Sequence, residues 1–343
     1  MNNVVLCDGI TAPQNGFGAL PIQRISKEGA VSLLLKAYSG GMTFFDTAHL
    51  YSDSEEKVGT AFGDGTGLRG NVFIATKSMA RTPDELKRDI EQSLERLRTS
   101  YIDIFQLHQA PQCYAPGDGS GLYEVLQEFK AQGKIRHIGI TAHQITVAEQ
   151  AVASGLYETL QYPLSYLASE REIALVHTCA QNHVGFIAMK GMAGGMISNS
   201  RAAMAFMAQF NNVMPIWGIQ REKELDEWLS YMDKTPVLDD AIQAFIEKER
   251  IELAGDFCRG CGYCMPCPVG IKINNCARTS LLLRRAPSAS WLSPEWQAEM
   301  MKIENCLHCN SCSSKCPYSL DTPALLQKNL ADYKQVLAGK VKV

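Results

Sequence analysis

Eight short apolar runs alternate with eight helical patterns between about residues 16 and 231, and two dense cysteine runs follow near the C-terminus. These two observations predict an α/β chain: a (β/α)8 TIM barrel followed by a small, mostly helical domain built on its cysteines. Strand-then-helix repetition implies parallel pairing with right-handed crossovers, and eight such units suit a closed barrel. A doubly wound open sheet would show about five or six strands. No Gly-x-Gly-x-x-Gly follows the first strand.

In order along the chain, strands are expected near 17–20, 43–45, 72–76, 102–107, 135–140, 159–161, 184–188 and 213–217, where apolar residues run together. Helices are expected over 26–38, 54–62, 83–98, 122–132, 146–154, 170–181, 201–210 and 222–231. The third is the best marked. It opens on Thr82-Pro83-Asp84-Glu85, a capping box with proline at the first helical position, and its Leu86, Ile90, Leu94 and Leu97 recur every three or four residues. The barrel domain is thus read as 1–234. Thr235-Pro236 predicts a connecting helix over 235–254, and the cysteine domain follows over 255–343. Within it, helices are expected over 275–285, 294–304 (capped by Ser293) and 322–337.

A chain of 343 residues suits one large domain and one small one. Its formal net charge of −3 and pI near 6.2 argue against a nucleic-acid partner. No apolar run approaches the roughly 18 residues of a membrane span. Residues 1–20 lack a basic start and a continuous apolar segment, so a cytoplasmic location is expected.

The cysteine runs read Cys258-x2-Cys261-x2-Cys264-x2-Cys267-Pro268 and Cys306-x2-Cys309-x2-Cys312-x3-Cys316-Pro317. This is the ferredoxin-like spacing of [4Fe–4S] ligation, in which the fourth cysteine of a run serves the other cluster. One cube is therefore assigned to Cys258, Cys261, Cys264 and Cys316, and the other to Cys267, Cys306, Cys309 and Cys312. Disulfides would need an oxidising compartment. Zinc would favour CxxC pairs separated by a longer spacer. The first run closes with a two-residue gap where the bacterial pattern has three. His308 is read as a loop residue. Cys7, Cys113, Cys179 and Cys276 are read as incidental thiols, with Cys113 placed to be watched because it follows His108 by five residues.

Active sites of such barrels lie at the C-terminal ends of the strands. Asp46 and Tyr51 follow the second strand, Lys77 closes the third and His108 closes the fourth. Singly, Asp46 could cap a helix and Lys77 could be a solvated strand end. Together they describe proton delivery. A phenol near pKa 10 donates poorly at neutral pH, a neighbouring ammonium lowers that value, a carboxylate holds the ammonium, and an imidazole bonds a carbonyl oxygen as it gains charge. Hydride transfer at a carbonyl carbon, with Tyr51 as the general acid/base, would use all four.

The stretches Phe44-Phe-Asp46-Thr-Ala-His-Leu-Tyr51 and Val72-Phe-Ile-Ala-Thr-Lys77, with the His108 strand, resemble the aldo-keto reductase family over roughly residues 1–231. The cysteine extension resembles the branch fused to a ferredoxin-like domain. The resemblance implies a tetrad of Asp46, Tyr51, Lys77 and His108, and NADPH or NADH bound without a Rossmann motif. It also implies that Gln161 holds the nicotinamide amide, that Lys190 matches a lysine of the fused branch, and that the loop from Gly218 through Arg221 to Glu227 takes the adenine end. Members specific for NADPH carry cations where Gly218 and Glu224 stand here, so Arg221 or Lys223 is the expected substitute. Trp228 replaces an asparagine. Thr141-Ala142-His143 replaces Ser-Asn.

Three functions follow from these residues. The first is an oxidoreductase that interconverts a small-molecule carbonyl and alcohol with NAD(P)H and carries two [4Fe–4S] clusters. The second passes electrons through the clusters to a ferredoxin or flavoprotein. The third is a non-enzymatic iron–sulfur sensor.

Overall fold

The chain, seen in a computed structural model, is described over residues 1–253, 257–285 and 288–343. It opens with an antiparallel hairpin, β1 (Asn3–Cys7) and β2 (Ile10–Pro13). The hairpin lies outside the sequence expectation. Its signal is the Asp8-Gly9 turn between alternating apolar residues, with Gly9 at φ +77°.

The barrel then runs β3 (Gly16–Gly18), α1 (Lys27–Ser39), β4 (Phe44–Asp46), α2 (Ser54–Phe62), β5 (Phe73–Ser78), α3 (Pro83–Leu97), β6 (Ile102–Leu107) and α4 (Leu122–Ala131). Its second half is β7 (Ile135–Thr141), α5 (Ile145–Ser154), β8 (Thr159–Pro163), α6 (Glu170–Gln181), β9 (Gly185–Met189), α7 (Ser200–Ala208), β10 (Val213–Gly218) and α8 (Glu222–Asp233). Strands β3 to β10 form one closed parallel barrel, sealed where Ile216 pairs Gly16 and Trp217 pairs Phe17. The expected capping box of α3 is present, with Glu85 N donating to Thr82 Oγ1 at 3.4 Å and Thr82 N to Glu85 Oε2 at 3.2 Å.

The barrel interior is layered by the two-residue period of its strands. Its lower layer is apolar: Phe44, Ala75, Ile104, Ile187 and Met214 pack against Val4, Leu6, Ile10 and Ala12 of the hairpin, which plugs the N-terminal end. Two residues further along the same strands stand Asp46, Lys77 and Gln106, all buried. Gly139 keeps room for this layer, because a Cβ there would meet Thr159 Oγ1 at 2.3 Å and Gln106 Cγ at 2.9 Å.

The described residues divide into two compact units, 1–191 with 200–242, and 192–199 with 243–343. This division differs from the expected cuts at 234 and 255. The connecting helix expected over 235–254 is shorter, α9 (Asp240–Glu252), and residues 235–239 are not helical. Asp239 sets the start: its Oδ1 accepts from Ile242 N at 2.8 Å, and a capping carboxylate fixes a first turn better than a proline that merely tolerates one. Residues 254–256 lie outside the described residues.

The second unit continues with α10 (Ile273–Cys276), α11 (Thr279–Arg285), α12 (Pro294–Met301), α13 (Ser311–Ser314) and α14 (Thr322–Leu337). The helix expected over 275–285 is broken at Ala277-Arg278, where the Arg278 side chain turns inward onto Asn275. The helix expected over 294–304 starts at its Ser293 cap but tightens into a 3-10 turn, Lys302–Asn305, just before Cys306. Ile271, Ile273, Met300, Ile303, Leu326 and Tyr333 form the core, with ligand-run cysteines packed on it.

Candidate active site and cysteine cavities

The four polar strand ends meet at the barrel mouth. Lys77 Nζ donates to Asp46 Oδ1 and to Thr47 O, both at 2.7 Å. It lies 5.2 Å from the centre of the Tyr51 ring, and that ring meets the His108 imidazole edge-on at 5.9 Å. Asp46 is thus an ion-pair partner and not a helix cap. The turn carrying Tyr51 is pinned to β5 by Thr47 N→Ala75 O at 2.8 Å and His49 N→Lys77 O at 3.0 Å, and closes through Tyr51 N→Ala48 O at 3.0 Å. Thr47 and Ser54 share a hydroxyl hydrogen bond at 2.9 Å, and Ser54 Oγ donates to Ala19 O at 3.0 Å.

Two non-glycine residues at positive φ directly follow site positions, Ser52 at +38° and Gln109 at +49°, and Lys190 is itself at +59°. Such conformations persist only where surrounding structure enforces them.

Electrostatics assign each group a state. Burial opposes charge on Lys77, but the charge and hydrogen bond of the Asp46 carboxylate oppose that, and the net direction is upward, so the ammonium is held charged. Burial pushes Asp46 up, while Lys77 and the Gln161 and Gln106 amides hold it down. The Tyr51 phenol corrects an expectation. Lys77 does lower its pKa, but burial is the larger effect and the net direction is upward. The phenol therefore stays protonated at neutral pH. His108 is held well below its ordinary value by burial first, then by Lys77, His143 and Arg81, so it is a neutral imidazole. Arg81 also ties down the chain after it, donating to His108 O and Gln109 O at 3.1 Å.

His143 is a site residue that the strand-end reading passed over. It is 4% exposed just past β7. Burial and the Lys190 charge push its pKa down to about 3. Its strand is locked to the His108 loop by Gln109 N→Thr141 Oγ1 at 2.7 Å and Ala110 N→Thr141 O at 2.9 Å. The signal was the third residue of Thr141-Ala142-His143, a titratable side chain at a strand end. Cys113, by contrast, is half-buried against Ser154, where burial pushes its thiol up.

Of the expected nucleotide contacts, Gln161 is buried in β8 and accepts from Gln106 Nε2 at 2.8 Å. Gly218 ends β10, exposed. Arg221 precedes α8 and is paired with Glu224 (Nε–Oε1 2.7 Å), the residue standing where a cation was sought. Glu227 accepts from Ser200 Oγ, which also bonds Tyr231 Oη at 2.7 Å. Trp228 stacks on Trp217 at 3.9 Å and 8°. Gln161 thus bonds a neighbouring amide, and the Arg221 guanidinium already holds a carboxylate.

In the second unit the cysteines ring two cavities. Cys258, Cys261, Cys264 and Cys316 line one. Cys267, Cys306, Cys309 and Cys312 line the other, which Cys264 also borders. Cys316 thus lies with the first three cysteines of the first run, and Cys267 with the first three of the second. Among the described residues no three Cys, His, Asp or Glu groups converge on a single ion position. A cube takes one thiolate at each of four irons and so spreads its ligands apart. Gly260 N donates to Cys258 Sγ at 3.3 Å, and burial pushes Cys258 and Cys264 up, the latter to about 12. Such thiols are protonated until metal displaces the proton. The donor set fits iron–sulfur cubes. His308, exposed at φ +50°, is a loop residue outside the second cavity's lining.

Residues 14–210 match the Aldo/keto reductase family, and residues 257–321 match the 4Fe-4S dicluster domain. Among curated relatives, Aldo-keto reductase str7 of Strobilurus tenacellus is 29% identical over 203 residues, 53% of this chain and 59% of that protein. Methylglyoxal reductase DkgB of Salmonella typhi is 31% identical over 150 residues, 42% of this chain and 53% of that protein. The chain thus spans little more than half the length of these relatives. Among solved structures, an aldo-keto reductase from Klebsiella pneumoniae in complex with NADPH superposes with TM-score 0.60 at 23% identity, covering 72% of this chain and 94% of that one. The holo form of an aldo-keto reductase from Bacillus halodurans gives 0.63 at 19%, covering 73% and 96%. At these identities the structural likeness establishes the fold. No described helix is long and apolar enough to cross a membrane.

Proposed function

This chain belongs to the aldo/keto reductase family, and we propose that it interconverts a small-molecule carbonyl and alcohol by hydride transfer, with Tyr51 as general acid/base and two [4Fe–4S] clusters bound by the C-terminal unit. The observation that carries the reading is the buried Asp46–Lys77 ion pair set beneath Tyr51 and beside neutral His108. A bound nicotinamide supplies the hydride. The chain's own residues do the rest. Neutral His108 donates an N–H to the carbonyl oxygen, as a neutral imidazole can without first losing a proton. Tyr51 delivers its proton to that oxygen as charge develops there. Its raised pKa keeps the phenol protonated at neutral pH, the state from which a proton can be given to a carbonyl oxygen. Lys77, fixed by Asp46, receives the phenolate that remains. The apolar floor and the hairpin plug keep water out from below.

A second reading has its own support. The two cysteine rings adjoin at Cys264, which borders both cavities, and adjoining cubes suit electron transfer better than a single structural staple would require. In that reading the clusters exchange electrons with a ferredoxin or flavoprotein partner.

Anaerobic, iron-replete protein titrated with NADH and with NADPH tests both. Oxidation of nicotinamide with a small carbonyl, with no bleaching of the iron–sulfur absorption, is the outcome expected of the first reading. Failure to oxidise either cofactor with any carbonyl panel would sink it. Dependence of turnover on an added ferredoxin or flavoprotein would favour the second.

A further inference from the structure

We infer that Arg278 makes the two cube sites unequal, holding the one ringed by Cys258, Cys261, Cys264 and Cys316 at the higher reduction potential. The inference rests on the two-cube reading above and adds to it the order in which the cubes accept electrons.

Arg278 sits at the break between α10 and α11. Its Nη1 donates to Gly194 O at 3.0 Å and its Nη2 to Asn275 Oδ1 at 3.3 Å. Both acceptors are neutral oxygens, so neither cancels its charge. The guanidinium is packed on the first ligand loop: a Cβ at Gly260 would stand 2.8 Å from its Cζ. That glycine, at φ +68°, donates its N–H to Cys258 Sγ. One glycine therefore separates a cation from a ligand sulfur. Arg259 adds a second cation on this side, its guanidinium 4.3 Å from the centre of the Tyr318 ring that lines the same cavity.

The other ring has a different wall. Pro266, Pro268, Val269, Leu307 and Asn310 stand among its lining residues, and none of the described residues lining it carries a charge. Adding one electron makes a cube more negative by one charge. A cation nearby in a poorly polarisable surrounding stabilises that reduced form, and net charge and hydrogen bonds to sulfur are among the determinants of such potentials. The nearby charge favours reduction of the Cys258 ring first.

The test is a potential titration of the anaerobic holoprotein with dithionite, followed by electron paramagnetic resonance, on the natural chain, Arg278→Gln and Arg278→Lys. Iron and sulfide analysis comes first, and fewer than two cubes per chain would overturn the two-cube reading itself. With two cubes present, two separate one-electron steps are expected. Arg278→Gln should lower the upper step alone, by about tenfold in the oxidised-to-reduced ratio at fixed potential, or about 59 mV, and Arg278→Lys should keep the steps apart. Coincident steps in the natural chain, an unmoved upper step in Arg278→Gln, or a shift of the lower step instead would overturn the inference. If Arg278→Gln does not retain its cubes, Arg278→Lys decides: steps still separate support it, and merged steps overturn it.

Discussion

The two units solve the problem of buried polar groups in opposite ways. In the barrel, the chain satisfies its own charges. The Lys77 ammonium is met by Asp46 and by Thr47 O, and the polar layer rests on an apolar floor made by the same strands. In the second unit, eight cysteines line two cavities and all eight are free of disulfides. The barrel is an instrument assembled from side chains alone, whereas the second unit is organised around groups that a polypeptide does not contain. The difference teaches where each should fail.

The largest expected effect is on the second unit. Removing iron with a chelator should expose residues 243–343 to limited proteolysis while the barrel stays resistant, because ligation substitutes there for a larger apolar core. Mass analysis of the fragments reads the outcome, and simultaneous loss of both units would break the comparison. Next comes Tyr51→Phe. It should cut kcat by about 10²–10⁴-fold and leave iron content and the cluster spectrum untouched, since the phenol belongs to the barrel alone.

Acid should distinguish the units more gently. His108 and His143 have folded pKa values depressed below the ordinary 6.5, that of His143 to about 3. The native state therefore stays neutral where the unfolded chain takes up protons. Their contribution to stability is fully present above about pH 6.5 and is lost as pH falls toward 3. The barrel's denaturant midpoint should drop between about pH 7 and pH 4.5, and His143→Asn should flatten that drop. An unchanged slope would remove His143 from the account. The smallest effect is expected at the adenine loop. Glu224→Gln frees Arg221 from its ion pair and should raise the preference for NADPH over NADH by roughly three- to tenfold, read as a ratio of dissociation constants.

Much of this was legible in the residues because local patterns decided it. All eight barrel strands stand where apolar runs predict them, and Thr82 and Ser293 cap the helices they announce. The crossed cysteines follow from spacing alone. What was not legible depends on depth and on distant partners. The sign of the Tyr51 shift turns on how far the phenol is buried, which no motif records. Arg221 reads as a phosphate ligand until Glu224 is seen holding it. Arg278 looks like one more helix residue until its side chain is found under Gly260. The hairpin was visible in Asp8-Gly9, but a count of repeating units passes over a motif that occurs once.

The crossed fourth cysteines also bear on how the protein is made. The ring that begins at Cys258 is not complete until Cys316 has been synthesised, and the ring that takes Cys267 waits for Cys312. Both close within four residues of one another, after the barrel has been synthesised. The emerging chain thus offers a loading machinery no finished binding site until Cys312 has been made, well after the barrel residues. Delivery of iron and sulfide then follows synthesis of the barrel, and a chain truncated before residue 312 would leave the ribosome with neither site intact.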